Sequence, residues 1–314
     1  MRPCEIAGWG THLPAQVVTF GDQTRYRIAD GVGQVDMLAD AVHGALDRAG
    51  LRPVDIDCVI GACAGDIQPI PCTAALVWER VAPHTPVAAF DVNSTCTSFI
   101  TALDIASRYL ADGEYERILI VSGDVGTRFL DPDQRESFEL FSDAAAAFVV
   151  TRSTQPDRGV LTSLQQTWAD HAHDTEIRGG ASLAPAQQYA DRDPGDYRFD
   201  MDGRRALRSM ATVLPGFFEA FFGRLTARTG LALADVDLVV PHQASRALGL
   251  VMRRIGIPPE QYVDRVREYG NMVSASVPFV LARCLDEGRI GTGDVILLCG
   301  TAAGLTANAL ALRL

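Results

Sequence analysis

No apolar run in this 314-residue chain approaches the roughly 20 residues that a membrane-spanning helix needs. The first residues, Met1-Arg2-Pro3-Cys4-Glu5, also lack the long apolar segment of a secretory signal. The expectation is a cytoplasmic protein that does not enter a membrane. A basic excess is missing too, since the formal net charge is −11. General nucleic-acid binding needs a positive field, so that class is set aside. The seven cysteines have no ordered spacing. Cys63 and Cys72 stand too far apart for a zinc knuckle, and no second pair accompanies them. Reduced thiols are expected, with no metal site. What the chain does have is 47% hydrophobic and 21% charged residues. That suits one large or two ordinary globular domains with a sizeable core.

Short buried-strand runs alternate with helical patterns. Strands are expected over residues 57–64, 87–92, 117–122 and 141–150. Between them lie a helix over 35–49 stopped by Gly50, a helix opened by Pro71, and one with Phe99, Leu103, Ala106 and Leu110 on one face. Residues 153–200 are rich in Asp, Gln, Pro and Gly and read as a loop-rich connection. A long helix follows over 201–230, with a break expected at Pro215-Gly216. Strands at 237–240, 294–299 and 308–314 and helices at 244–255 and 274–287 then repeat the early grammar. The pattern argues for an α/β fold of two similar halves, residues 1–155 and 156–314.

Three residues stand at strand ends or just before helices, where α/β sheets gather ligands. Cys96 follows the strand over 87–92, with Ser94 or Thr95 expected to cap the helix beyond it. A helix N-terminus favours an anion, so its thiol is expected to ionise more easily than a free one. His242 follows the strand over 237–240, and Asn271 follows Gly270. Each has a bland reading: a core thiol, a structural histidine, a turn. Together they suit acyl chemistry. A thiolate can hold an acyl group as a thioester, and a neutral His with an Asn amide can donate to one developing oxyanion. The loop Gly300-Thr301-Ala302-Ala303-Gly304 allows close backbone approach to that site.

With these residues in place the chain resembles the β-ketoacyl-ACP synthase III family of the thiolase-like condensing enzymes. The matches are Asp91-Val92 with Cys96, Asp131-Pro132 with Arg135, Phe141-Ser142-Asp143 with the following alanines, Met201-Asp202-Gly203-Arg204, Pro241-His242-Gln243-Ala244, Gly270-Asn271 with Ala275-Ser276 and Pro278, and Gly304-Leu305-Thr306. They run in order over nearly the whole chain. The resemblance implies a five-layered αβαβα fold, a homodimer and no cofactor. It implies Cys96 as the acylated nucleophile, with His242 and Asn271 driving decarboxylative condensation with a malonyl thioester on carrier protein or coenzyme A. The backbone N–H groups of Cys96 and Gly304 would form the oxyanion hole. Arg135 would contact the coenzyme A nucleotide. Arg208, Arg253 and Arg254 would dock an acidic acyl carrier protein.

Three departures shape the substrate expectation. Relatives grip coenzyme A with a longer N-terminal stretch that contains a Trp. Only Thr24-Arg25-Tyr26-Arg27-Ile28-Ala29-Asp30-Gly31 stands there in this chain. The donor's carrier is therefore open between coenzyme A and a protein, and the shortening points to a specialised biosynthetic role. The closing loop carries Ala302 and Ala303 within a Gly-rich family pattern. Ile70 replaces the aromatic that floors the partner subunit's acyl pocket in relatives, leaving more room for a medium or branched group. A papain-like hydrolase shares the Cys, His, Asn order but not this α/β repetition. Two further alternatives keep the fold: an acyltransferase that passes the Cys96-bound group to an alcohol or amine, and a non-catalytic binding homologue.

Overall fold

The computed structural model describes residues 1–314. The first half supplies β1 (Arg2–Pro3), β2 (Glu5–His12), β3 (Gln16–Phe20), β4 (Gln23–Arg27), α1 (Gln34–Ala49), β5 (Cys58–Gly61), α2 (Thr73–Val81), β6 (Ala88–Asp91), α3 (Ser98–Asp112), β7 (Arg117–Asp124), α4 (Arg135–Phe138) and β8 (Ala144–Thr151). The second supplies β9 (Gly159–Thr167), β10 (Thr175–Glu176), β11 (Asp200–Met201), α5 (Gly203–Thr229), β12 (Leu238–Pro241), α6 (Leu248–Arg254), α7 (Val266–Tyr269), α8 (Ser276–Asp286), β13 (Val295–Ala302) and β14 (Thr306–Arg313).

Two five-stranded sheets form the frame, in the orders β2-β8-β7-β5-β6 and β1-β9-β14-β13-β12. β5 runs parallel to β6 and β7, and β12 runs parallel to β13. The remaining pairs within these sheets are antiparallel. Laying one order on the other matches β9 with β2, β14 with β8, β13 with β7 and β12 with β5. Even β6 has a remnant, because Tyr262 makes a single parallel bridge to Val239. β1 crosses over: its two residues pair with β9 of the second sheet.

Alternating burial sets the layers. In β7, Ile118 and Ile120 face a central core while Leu119 and Val121 face an outer one. The central core holds α3 and α8 between the inner faces of both sheets. α1 and α2 cover the outer face of the first sheet, and α5 and α6 cover that of the second. This is the five-layered thiolase-like αβαβα arrangement of two similar halves. No helix is long and apolar enough to cross a membrane.

Three local expectations change, and one element was not foreseen. Neither Ser94 nor Thr95 caps α3; the helix starts at Ser98, and its N-cap Thr97 makes no side-chain cap bond. Burying Phe99, Leu103 and Leu110 stabilises by about 1.5–3 kcal/mol each, which outweighs the roughly 1 kcal/mol of a cap. α5 runs through Pro215 without a break. An interior proline costs about 3 kcal/mol, less than burial of Leu214, Phe217, Phe218, Phe221 and Leu225 returns. The supposed loop over 153–200 contains the nine-residue β9, whose exposed polar end (Gln165 to Thr167) hid it. Residues 16–27 form a hairpin of β3 and β4 that sequence periodicity did not reveal.

Candidate active site

Cys96 stands where the chain leaves edge strand β6 and turns into α3. Val92 N–H donates to Gly61 O at 2.7 Å, ending the pairing with β5. Asn93 Oδ1 then accepts from Thr95 N–H at 2.9 Å, and Ser98 Oγ accepts from Ser94 N–H at 3.0 Å. These bonds hold Thr95 at φ +49°. A β-branched residue in that region carries on the order of 1–3 kcal/mol of strain. The half-buried Cys96 lies in the 3-10 turn Thr95–Thr97 that results.

The same turn recurs in the second half. Asn271 Oδ1 accepts from Val273 N–H at 2.9 Å, Ser276 Oγ accepts from Met272 N–H at 2.9 Å, and Val273 sits at φ +52°. Asn93, Thr95 and Ser98 thus correspond to Asn271, Val273 and Ser276, and Cys96 corresponds to Ser274. The shared signal is an Asn five residues before a Ser that opens a central helix, at 93–98 and 271–276. Sequence reasoning overlooked it because one Asn and one Ser are weak without their bonds. The two turns pack on one another, so the fold's internal symmetry brings the Asn271 turn against the Cys96 turn.

His242 arrives on β12, its N–H donating to Cys299 O of β13 at 2.8 Å. Gly300 then passes between His242 and the Cys96 turn. A Cβ added there would lie 2.7 Å from His242 Cβ and 3.4 Å from Thr97 Cγ2, so glycine alone permits the approach. Asn271 Nδ2 donates to Ala244 O, two residues past His242, at 3.3 Å. The Ala303 N–H favours the Cys96 thiolate. Gly304 takes φ +85° in the β13–β14 turn.

Burial dominates the electrostatics. The Cys96 thiol is pushed up to about 12, first by desolvation and second by the buried Asp124 carboxylate. That reverses the expected ease of ionisation: Cys96 precedes α3, and only its own N–H and that of Ala303 favour the thiolate. Burial likewise raises Asp124, although it accepts from the N–H groups of Ala64, Gly65 and Ser274 and from Ser274 Oγ. Desolvation lowers His242 to about 4, so its imidazole is neutral at pH 7. His242 Nδ1 is enclosed without a partner, which leaves Nε2 as the open nitrogen. Asn271 Oδ1 is committed to Val273 N–H, so its amide has only N–H groups left to offer, one of which goes to Ala244 O. Alkylation of Cys96 by iodoacetamide should therefore rise about tenfold per pH unit from pH 7 to 10 without levelling. A plateau near pH 8 would contradict the raised thiol.

The outer residues divide. Arg135 is 82% exposed but holds Glu139 at 2.6 Å, and Glu139 also takes Arg246. Arg204 and Arg208 on α5 and Arg253 and Arg254 on α6 are exposed and pair with no carboxylate. The chain contains no lysine, so this face is purely guanidinium. An apolar cleft between α5 and α6, lined by Met210, Leu214, Phe218 and Leu248, reaches His242 and Thr301. Ile70 projects with 83% of its surface exposed. The β3–β4 hairpin offers no free cation. Arg25 is fully buried, and Arg27 stacks over Phe138 at 4.4 Å.

Comparison with known proteins agrees with this architecture. Residues 90–168 match the model for 3-oxoacyl-[acyl-carrier-protein] synthase III, and residues 226–314 match the model for its C-terminal part. The chain is 31% identical to a β-ketoacyl-[acyl-carrier-protein] synthase III of Symbiobacterium thermophilum, over all of this chain and 98% of the relative. It is 33% identical to one from Allorhizobium ampelinum, over 93% and 88%. The synthase III structure from Aquifex aeolicus superposes with a TM-score of 0.84 at 27% identity, covering 99% of this chain and 100% of that one. The priming β-ketosynthase of the R1128 polyketide pathway superposes at 0.86 with 25% identity, covering 100% and 96%. A chain matched end to end by such relatives, with its Cys, His and Asn gathered at one strand-end site, belongs to the β-ketoacyl-[acyl-carrier-protein] synthase III family of condensing enzymes.

Proposed function

We propose that this enzyme loads an acyl group onto Cys96 and condenses it with a malonyl thioester, with loss of carbon dioxide. The observation that carries the reading is the convergence of Cys96, neutral His242 and the N–H face of Asn271 on one buried site. In the first step the Cys96 sulfur bonds to the donor's carbonyl carbon. The donor thiol leaves with the thiol proton. The N–H groups of Cys96 and Gly304 would receive the transient oxyanion. In the second step the malonyl thioester loses carbon dioxide, and its carbonyl oxygen takes the charge. The Nε2–H of His242 and the Nδ2–H of Asn271 stabilise that enolate. Its carbon then attacks the Cys96 thioester, and the sulfur leaves as thiolate. Asn271 suits donation rather than proton removal, which supports condensation over simple acyl transfer.

The two halves, 1–155 and 156–314, would contribute the nucleophile and the decarboxylation pair respectively. The unpaired Arg208, Arg253 and Arg254 would seat an acidic acyl carrier protein, locally reversing a chain of net charge −11. Arg135 would reach a donor's phosphate only by releasing Glu139. The absence of a free cation on the β3–β4 hairpin favours a protein-borne donor over coenzyme A. Likeness to a priming ketosynthase is consistent with starter-unit chemistry in fatty acid or polyketide assembly. The protein would act in the cytoplasm as a homodimer, in which the exposed Ile70 reaches the partner's acyl pocket. Acyl-chain profiling of Ile70→Phe should then show preference shifted to groups shorter by about two to four carbons, at the roughly 0.8 kcal/mol each methylene contributes. An unchanged profile would remove Ile70 from the pocket.

The test is intact-protein mass spectrometry with acyl-CoA and acyl-carrier donors, followed by malonyl-carrier protein. A mass gain on Cys96, cleared with carbon dioxide release, is expected. Clearance by an alcohol or amine without carbon dioxide would instead identify an acyltransferase.

A further inference from the structure

The β3–β4 hairpin buries a charge that no carboxylate contacts. Arg25 is fully buried, yet no carboxylate pairs with it. Its Nε donates to Glu139 O at 2.8 Å. Its Nη1 donates to Thr24 O at 2.5 Å, Val266 O at 3.1 Å and Arg267 O at 3.2 Å, and its Nη2 donates to Gln23 Oε1. A buried cation solvated by carbonyls alone is expensive to maintain, so its position calls for a structural demand.

The demand lies next to it. Residues 139–143 and 266–271 form two facing segments. Asn271 N–H donates to Leu140 O at 2.9 Å, and Ser142 N–H donates to Asn271 O at 2.9 Å. Arg25 ties the start of one segment, at Glu139, to the turn of the other, at Val266 and Arg267. Its stem also fills the space beside Gly270, where a Cβ would lie 2.7 Å from Arg25 Cδ and Nε. Gly270 takes φ +69° and points the chain into Asn271. The neighbouring Tyr26 adds a second tie, donating its N–H to Ser142 Oγ at 3.0 Å and accepting from Asp143 N–H at 2.8 Å.

We propose that Arg25 is a positioning residue: its buried guanidinium fixes residues 270–271 so that the Asn271 amide points at the reacting carbonyl. This rests on the reading of Asn271 as an enolate donor. The shortened N-terminal stretch thus works inward, as a brace for the decarboxylation half of the site.

The test measures two half-reactions on one preparation. Cys96 acylation is titrated by mass, and carbon dioxide release from malonyl-carrier protein is normalised to the acylatable fraction. Arg25→Met should acylate within about twofold of the parent while normalised carbon dioxide release falls about 10- to 100-fold in kcat, as expected of a displaced catalytic group. Arg25→Lys, which keeps the charge and some donors, should recover part of that loss. In an Asn271→Ala background, Arg25→Met should have no further effect. If Asn271→Ala itself leaves carbon dioxide release intact, the reading of the site fails first. If Asn271→Ala loses it and Arg25→Met does not, the brace alone is refuted. Equal loss of both half-reactions, additive effects in the double variant, or no acylatable protein from either Arg25 variant would assign Arg25 to folding and overturn the proposal.

Discussion

Cys96→Ala is expected to take up no acyl mass from any donor and to lower condensation by at least about 10⁴-fold, the scale seen when a covalent nucleophile is removed. The fold should survive, because Cys96 is half-buried in a turn held by Asn93 and Ser98 and not by its own side chain. A parallel melting curve checks this. Cys96→Ser is the sharper variant. It keeps the shape but offers a hydroxyl, which ionises less readily still, to a site that already disfavours the anion. Residual acylation is not expected at Cys4, Cys58, Cys63, Cys284 and Cys299, which are buried with their thiols pushed up, and a Cys72→Ala variant controls for the one other partly exposed thiol. Acylation that persists in Cys96→Ala would overturn the assignment.

Removing the decarboxylation donors should separate the two half-reactions. His242→Ala and Asn271→Ala are each expected to reduce carbon dioxide release about 10²- to 10³-fold, or roughly 3–4 kcal/mol of transition-state stabilisation for one lost donor. Acylation of Cys96 should change by only a few-fold, because the proposed acyl oxyanion donors are the backbone N–H groups of Cys96 and Gly304. The pH profile carries the sign. With His242 lowered to about 4, the neutral ring persists across pH 5–9, so decarboxylation by the parent should show no limb near pH 6.5. A loss of rate as pH falls through 6.5 would mean that the imidazole titrates normally and is less enclosed than its burial indicates. Equal damage to both half-reactions in the two variants would argue against the division of labour between the halves.

Much of the architecture was legible because burial writes itself into a chain at fixed periods. The runs at β5, β7 and β12 are short, apolar and β-branched, and α1, α3 and α8 show their apolar faces. The family motifs around Cys96, His242 and Asn271 stood out because they run in order over nearly the whole chain. Elements governed by non-local pairing were hidden. β9 has a polar end and exists through its pairing with β14, and α5 passes Pro215 because the second sheet buries its aromatics.

The sequence by itself determined which residue types are available and the order in which strands, turns and helices bring them. Those follow from backbone propensity and hydrophobic period, which act over a few residues. Only the tertiary structure decided how those residues behave. It paired the Asn93 and Asn271 turns through the fold's internal symmetry. It also turned Arg25 inward, and it raised Cys96 where a helix N-terminus alone would have lowered it. The reason is desolvation: removing a group from water depends on what the whole chain packs around it, and no local spacing records that.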